Sequence, residues 1–298
     1  MVQKQKILII VGPTASGKSA LAVTLAHKFK GEVISADSRQ VYKSLDIGTG
    51  KITKREMMGI PHHLLDVSSP KNIFTAHDFI QRGNIAITDI SSRGELPIVA
   101  GGTGFYIDAL TGRIALPNVK ANPAIRARLQ KKTILQLFAQ LQKSDPRRAR
   151  KIDRKNKRRL IRALEIAQKL GKSPIPSSTQ IYDTLWIGIA PSEKDLKQKI
   201  SIRLFSRISR GMVAEAKRLH VGGLSYRRMG ELGLEYRSLA RFLQKKITRE
   251  QMRDEMMRGN YLYAKRQMTY WKRNRSIKWF LPSQTGKMSR TVDKWLKI

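Results

Sequence analysis

The chain contains no cysteine among its 298 residues. Disulfides, thiolate nucleophiles and cysteine-ligated metal sites are therefore excluded. Acidic residues are scarce: 22 Asp and Glu stand against 59 Lys and Arg, a net charge of +37. That imbalance exceeds what solubility needs. It implies a polyanionic partner, nucleic acid before an anionic membrane surface. Long apolar runs are missing too, and no segment approaches the ~18 residues of a membrane-spanning helix. Residues 1–6, followed by the apolar 7–11, mimic the order of a secretory leader. The apolar part is too short and runs straight into a glycine-bounded loop. It reads as a first core strand, and the protein as cytoplasmic.

What is present begins at that loop. Gly12-Pro13-Thr14-Ala15-Ser16-Gly17-Lys18-Ser19 has the form G-x-x-x-x-G-K-S. It lies between an expected strand at 7–11 and an expected helix at 20–29, the context a phosphate loop requires. Backbone N–H groups of such a loop wrap a diphosphate, and Gly12 and Gly17 take torsions closed to other residues. Lys18 reaches phosphate oxygens, the Ser19 hydroxyl suits a magnesium ion, and the helix turns its positive end to the same anion.

Further strand signals at 32–35 and 96–100 alternate with helical spacing at 75–91. The fold class is α/β, a parallel sheet covered on both faces. Ligands bind such sheets at the carboxyl ends of the strands. Asp37, Gly101 and Thr103 follow strand ends and should converge on the loop. Composition changes after Pro117. From 119 to 180 there are 18 basic and 3 acidic residues. Helices are expected there, broken at Asp145-Pro146 and ended by Gly171 and Pro174. A buried strand at 184–190 returns to the sheet. The expected organisation is a first part of the core at 1–118, a basic helical insertion at 119–183, and the rest of the core with a basic helical region at 184–298.

Several residues carry chemistry in this pattern. Asp37 can hold magnesium or accept a proton, or it can simply close an Asx turn. Residues 101–104, Gly-Gly-Thr-Gly, bring backbone and a hydroxyl near a ligand or form a plain tight turn. His62-His63 lacks a third ligand nearby and reads as structural. No aspartate ends an apolar strand in the Walker B manner, which argues against an ATPase motor. Between 143 and 162, 11 Lys and Arg face Asp145 and Asp153. They are expected to cover every face of a helix and to contact a phosphate backbone. Tyr270, Trp271, Trp279 and Phe280, beside Lys265, Arg266, Lys272 and Arg273, either stack on unpaired bases or form a small core.

GPTASGKS, DSRQVY with LDIGTGK, PHHLLD, GGTGFYI and YAKRQMTYW follow in that order between about residues 7 and 280. This ordered set resembles the tRNA dimethylallyltransferase (tRNA isopentenyltransferase) family, which modifies the adenosine beside the anticodon. The resemblance implies a P-loop nucleotide-kinase-like sheet with a helical insertion that grips the anticodon stem-loop. The loop then holds dimethylallyl diphosphate rather than ATP, and N6 of a flipped-out adenine attacks the allylic carbon. Asp37 becomes the general base, and Thr103 a contact to the target nucleotide or leaving group. Lys18 lies on the diphosphate, with Ser19 and Asp37 toward Mg2+. Arg203 lies on a lid-like helix and Arg237 near the diphosphate. Contacts to tRNA are implied at Asp37, Ser38, Arg39, Gln40, Thr103, Arg126, Arg158, Arg159 and Arg162. The partners implied are tRNA and dimethylallyl diphosphate, with no membrane, for a monomer. Two positions depart from the family pattern. Arg154-Lys155-Asn156 stands where Pro-Asn-Asp is usual before Arg162-Ala163-Leu164-Glu165, and Lys199 replaces an arginine. A nucleotide kinase, an isopentenyltransferase of free adenine nucleotides and a non-catalytic RNA-binding protein are the competing readings. The first lacks its aspartate, the second has no use for the basic insertion, and the third has none for G-K-S, Asp37 and GGTG together.

Overall fold

A computed structural model describes residues 4–171 and 181–298. The expected helix stop at Pro174 lies outside them. Six strands form one parallel sheet: β1 (Lys6–Val11), β2 (Gly31–Ser35), β3 (His62–His63), β4 (Leu96–Ala100), β5 (Asp183–Ile189) and β6 (Ile277–Phe280). Their order is β3-β2-β4-β1-β5-β6. The central strands are Val/Ile/Leu runs because both faces of a parallel sheet are covered. In β1, Ile7, Ile9 and Val11 join one layer with Phe79, Ile87 and Ile107. Leu8 and Ile10 join the other with Leu21, Leu25 and Val292. The first helices are α1 (Lys18–Phe29), α2 (Lys54–Met57), α3 (Ala76–Ser92) and α4 (Gly104–Leu110). Thr53 with Glu56, and Thr75 with Asp78, start α2 and α3 as capping boxes.

The chain divides into two compact units, one of residues 1–112 and 180–298, the other of 113–179. The second begins a few residues earlier than the expected 119. It contains α5 (Pro123–Gln130), α6 (Ile134–Ser144), α7 (Pro146–Lys151) and α8 (Lys157–Leu170) around Leu129, Leu137, Leu141, Leu160 and Leu164. Asp145 ends α6 and caps α7 by accepting from the Arg148 N–H at 3.0 Å. The basic run is thus two helices rather than one. Its charges do not cover every face, because α8 turns Leu160, Ile161 and Leu164 inward. Asn156 caps α8 by accepting from the Arg159 N–H, so the departure at 154–156 keeps a helix start.

Glu165 has a fully buried carboxylate. It accepts from Arg126 at 3.0 and 2.9 Å, Arg162 at 2.5 Å and the Asn122 N–H at 2.7 Å. Burial opposes its charge, yet these donors together hold its pKa below the ordinary carboxylate value. Arg126 and Arg162, expected on RNA, are therefore engaged inside their own unit. Arg147, Arg148, Arg158 and Arg159 are exposed.

The first unit resumes with α9 (Glu193–Ser209), α10 (Met212–Val221), α11 (Tyr226–Glu231), α12 (Leu234–Leu243), α13 (Arg249–Trp271) and α14 (Thr285–Leu296). Helices α9 to α13 build a core with Val41, Tyr42 and Leu45. The terminal aromatics belong to the cores rather than to a base-stacking surface. Trp271 is buried and meets Trp186 edge-on at 6.1 Å, and the Tyr270 hydroxyl donates to Asp108 at 2.6 Å. Trp279 and Phe280 pack on opposite layers of the sheet. Among the described residues, no helix is long and apolar enough to cross a membrane.

Glu165→Gln tests the buried hub of the second unit. The amide turns an N–H toward arginines and leaves donors unmatched, at a cost of about 2 kcal/mol. Amide exchange within α5 and α8 should accelerate by about 30-fold, measured on the full chain. Unchanged protection would show that the hub does not hold the unit together.

Candidate active site

Strands β2, β4 and β1 are neighbours and run parallel, so their carboxyl ends lie side by side. Gly12 leaves β1 at φ 152°, and a Cβ there would stand 2.6 Å from the Ile189 carbonyl oxygen. The loop crosses the tip of β5 only because that atom is missing. Gly17, in the left-handed region, caps α1.

Gln267 on α13 fastens the loop. Its Oε1 accepts from the Thr14 N–H at 2.8 Å, and its Nε2 donates to the Gly102 carbonyl at 3.0 Å. The Thr103 N–H donates to the Ala36 carbonyl at 3.1 Å. The Thr103 hydroxyl accepts from the Ser38 N–H at 3.0 Å. Asp37 Oδ1 accepts from the Arg39 N–H at 2.8 Å and the Gln40 N–H at 3.4 Å. Asp37 is both an Asx turn and a cavity residue, so the two readings of it are compatible. Thr103 holds that turn from behind.

A cavity of about 320 Å³ lies beside the loop. Thr14 and Ala15 line it with Asp37, Ser38, Arg39, Arg203, Arg207, Arg237, Tyr263 and Arg266. A second cavity, of about 450 Å³, starts at Ser19, Ala20 and Val23 and adds Ile47, Ile52, Met58 and Ile202. Arg203 and Arg207 line both cavities. They lie one turn apart on α9, so they share a face.

Lys18 Nζ donates to the Pro13 carbonyl at 2.6 Å. Burial lowers its pKa first, the Arg203 charge adds to that, and Asp37 partly offsets both, leaving it at about 7. Burial and Arg207 also lower Arg203, against the charges of Glu56, Glu235 and Asp37. Positive groups are thus held together against their own repulsion, which a bound anion would relieve.

Not every expected residue meets these cavities. Gln40 lies under the turn, with Nε2 3.4 Å from the Gly50 carbonyl. Arg237 lines the first cavity while its Nε donates to the Gly230 carbonyl at 3.3 Å. Lys199 is exposed and lines neither. Ser19 lines the second cavity and Asp37 the first, so neither cavity has both as walls. Among the described residues no three His, Cys, Asp or Glu could hold a metal together. His63 meets Glu32 at 2.5 Å and His62 the Ile60 carbonyl at 2.8 Å, which makes the pair structural. Arg207, Tyr263, Arg266 and Gln267 are site residues that the sequence reading did not assign. The four-residue spacing of Arg207 from Arg203 was the available signal for the first. The other three lie inside the YAKRQ motif.

Lys18 makes anion binding pH-dependent. The protonated form binds, and the free protein holds that proton only up to about pH 7. Above pH 7, binding of inorganic pyrophosphate should take up a proton. Its affinity should fall with a slope approaching tenfold per pH unit. Calorimetry in buffers of different ionisation heat measures both quantities. Affinity that is flat from pH 7 to 8.5 would remove Lys18 from the anion site.

The profile of the IPP transferase family matches residues 40–274. The tRNA dimethylallyltransferase of Leuconostoc citreum is 40% identical over 266 residues, 89% of this chain and 90% of that protein. That of Caldanaerobacter subterraneus subsp. tengcongensis is 38% identical over 288 residues, 92% and 91% of the two chains. Among solved structures, the tRNA isopentenylpyrophosphate transferase of Bacillus halodurans superposes with TM-score 0.74 at 35% identity, over 99% and 97% of the chains. A eukaryotic dimethylallyltransferase acting on tRNA gives TM-score 0.82 at 29% identity, over 93% of this chain and 74% of the other. The likeness spans the phosphate loop, the Asp37 turn and the basic unit alike, and the chain belongs to the IPP transferase family, that of the tRNA dimethylallyltransferases.

Proposed function

We propose that this protein transfers the dimethylallyl group of dimethylallyl diphosphate to N6 of the adenosine adjacent to the anticodon in tRNA, releasing diphosphate. The observation that carries this reading is a single cavity walled by the phosphate loop, the Asp37 carboxylate and Arg203. An anion cradle and a base facing one space suit an amine that displaces a diphosphate. The target adenine enters beside Asp37, and the diphosphate lies against the loop and the two arginines. The apolar side chains of the second cavity receive the dimethylallyl group.

The nitrogen lone pair of N6 forms a bond to the allylic carbon as the carbon–oxygen bond to diphosphate breaks. The departing electron pair stays on the diphosphate, where Lys18, Arg203 and Arg207 stabilise the growing charge. The N6 proton passes to Asp37. Ser19 would hold a magnesium ion, which would supply further neutralisation of the leaving group when bound. One hydroxyl at a helix start fits that ion, which takes few protein ligands when phosphate is present. Asp37 is then left for the proton. The exposed arginines of α7 and α8 take the RNA backbone. The same reading takes the enzyme to be a cytoplasmic monomer.

Asp37→Asn tests the base. The Asn carbonyl keeps the Asx turn but cannot take a proton. Turnover should fall at least about a hundredfold while stem-loop affinity stays unchanged. Near-normal transfer, followed by mass spectrometry of the RNA, would remove Asp37 from that role. If labelled ATP yields phosphoryl transfer where dimethylallyl diphosphate yields no product, the donor assignment fails.

The RNA-binding role of the exposed arginines is tested through salt. Neutralising Arg147, Arg148, Arg158 and Arg159 together should weaken all tRNAs alike. The slope of log K against log salt should drop by roughly 0.7 to 0.9 for each phosphate that an arginine no longer neutralises. An unchanged slope would mean that these arginines face something else. Adenosine monophosphate should be a poor acceptor beside an anticodon stem-loop, because it offers no extended backbone to these arginines.

A further inference from the structure

We propose that Glu215 is a positioning residue for the transfer, setting Arg207, one of the two arginines that line both cavities; this rests on the function proposed above. Glu215 lies on α10, is 4% exposed and lines neither of the two site cavities. Its Oε2 accepts from the N–H groups of Asp46 at 3.0 Å and Ile47 at 2.7 Å. Its Oε1 accepts from the Gly48 N–H at 2.9 Å and the Tyr236 hydroxyl at 2.6 Å. Three successive amides curl around one carboxylate, an anion nest whose anion is a side chain of the protein. Both oxygens of an ionised carboxylate are needed to receive four donors. Burial beside Glu215 raises the pKa of Tyr236, so that hydroxyl keeps its proton as a donor.

The segment held this way is the wall between the cavities. Gly48 and Thr49 line the first, and Ile47, Gly50 and Lys51 the second. Its outer face carries the arginines. The Gly48 carbonyl accepts from Arg207 Nη1 at 3.0 Å, and Glu235 receives Arg207 Nη2 at 3.2 Å. Arg207 Nε is buried and has no partner among the described residues. The guanidinium is thus anchored through two nitrogens. Arg203 Nη2 lies 3.1 Å from where a side chain on Gly50 would begin. A Cβ on Gly48 would meet the Tyr236 ring at 2.5 Å, so the segment has no slack on its inner side. The carboxylate fixes the amides of 46–48, and the carbonyl between Gly48 and Thr49 fixes Arg207.

Removing the charge while keeping the shape separates positioning from support of the fold. Glu215→Gln turns an amide toward N–H donors. Tyr236→Phe keeps the ring and deletes one donor. Each variant is measured for kcat, donor KM, stem-loop Kd, melting temperature and affinity for inorganic pyrophosphate. For Glu215→Gln, kcat should fall at least about tenfold and pyrophosphate should bind at least about fivefold more weakly, with stem-loop Kd within about twofold. Tyr236→Phe should lose about threefold in kcat in the same pattern. A purely structural Glu215 would lower the melting temperature but leave kcat, KM and pyrophosphate affinity of the folded variants at wild-type values, overturning the proposal. If Glu215→Gln does not fold, Tyr236→Phe decides. If the wild type transfers no dimethylallyl group, the function proposed above fails. Pyrophosphate affinity then still decides whether Glu215 sets the anion site.

Discussion

The carboxamide of Gln267 is the fastening on which the site depends. An amide offers an acceptor at one end and a donor at the other. Here the acceptor takes the Thr14 N–H of the phosphate loop and the donor meets the Gly102 carbonyl. The reverse orientation would set donor against donor and acceptor against acceptor, so one arrangement is selected. That arrangement ties α13 to two strand tips at once. From the second tip, Thr103 reaches Ser38 and fixes the turn that presents Asp37. The loop and the Asp37 turn are parts of one hydrogen-bonded frame, with the long helix α13 as its back wall.

Within that frame the positive charges work against one another. Lys18 is driven to about pH 7 by burial and by Arg203, and Arg203 is itself lowered by burial and Arg207. Such a cluster is costly without an anion and strongly favoured with one. A diphosphate whose charge grows as its bond to carbon breaks is stabilised more in the transition state than in the ground state. That difference accelerates the reaction. Glu235 holds Arg207 in place before the substrate arrives.

Much of this was legible in the residues. The strand at 96–100 and the break at Asp145-Pro146 follow from apolar runs and proline, and the structure has them where expected. The loop at 12–19 and Asp37 follow from strand-end logic. Other features were hidden. Strand β3 is two residues long, and β6 carries aromatics that look like a surface until Trp186 and the sheet are placed against them. The pairing of Arg126 and Arg162 with Glu165 was hidden because that acid is distant in sequence from the first and stands among many bases. The partners of Glu215 and of Gln267 were hidden for the same reason: each side chain holds backbone groups of segments far along the chain, and no spacing rule connects them.

The excess of arginine and lysine therefore has two physical uses in one chain. In the unit that carries the sheet, Arg207 is held by the Gly48 carbonyl and by Glu235. Its guanidinium nitrogens have defined positions, which a small dense anion requires. In residues 113–171, two arginines neutralise Glu165 and build the unit, while Arg147, Arg148, Arg158 and Arg159 remain exposed. Flexible exposed cations suit a long polyanion, whose binding draws on counterion release and tolerates variation at each phosphate. A net charge of +37 does not distinguish these uses. The acids do: Arg126 and Arg162 share the buried Glu165 and Arg207 meets Glu235, so these few acidic residues mark where geometry matters.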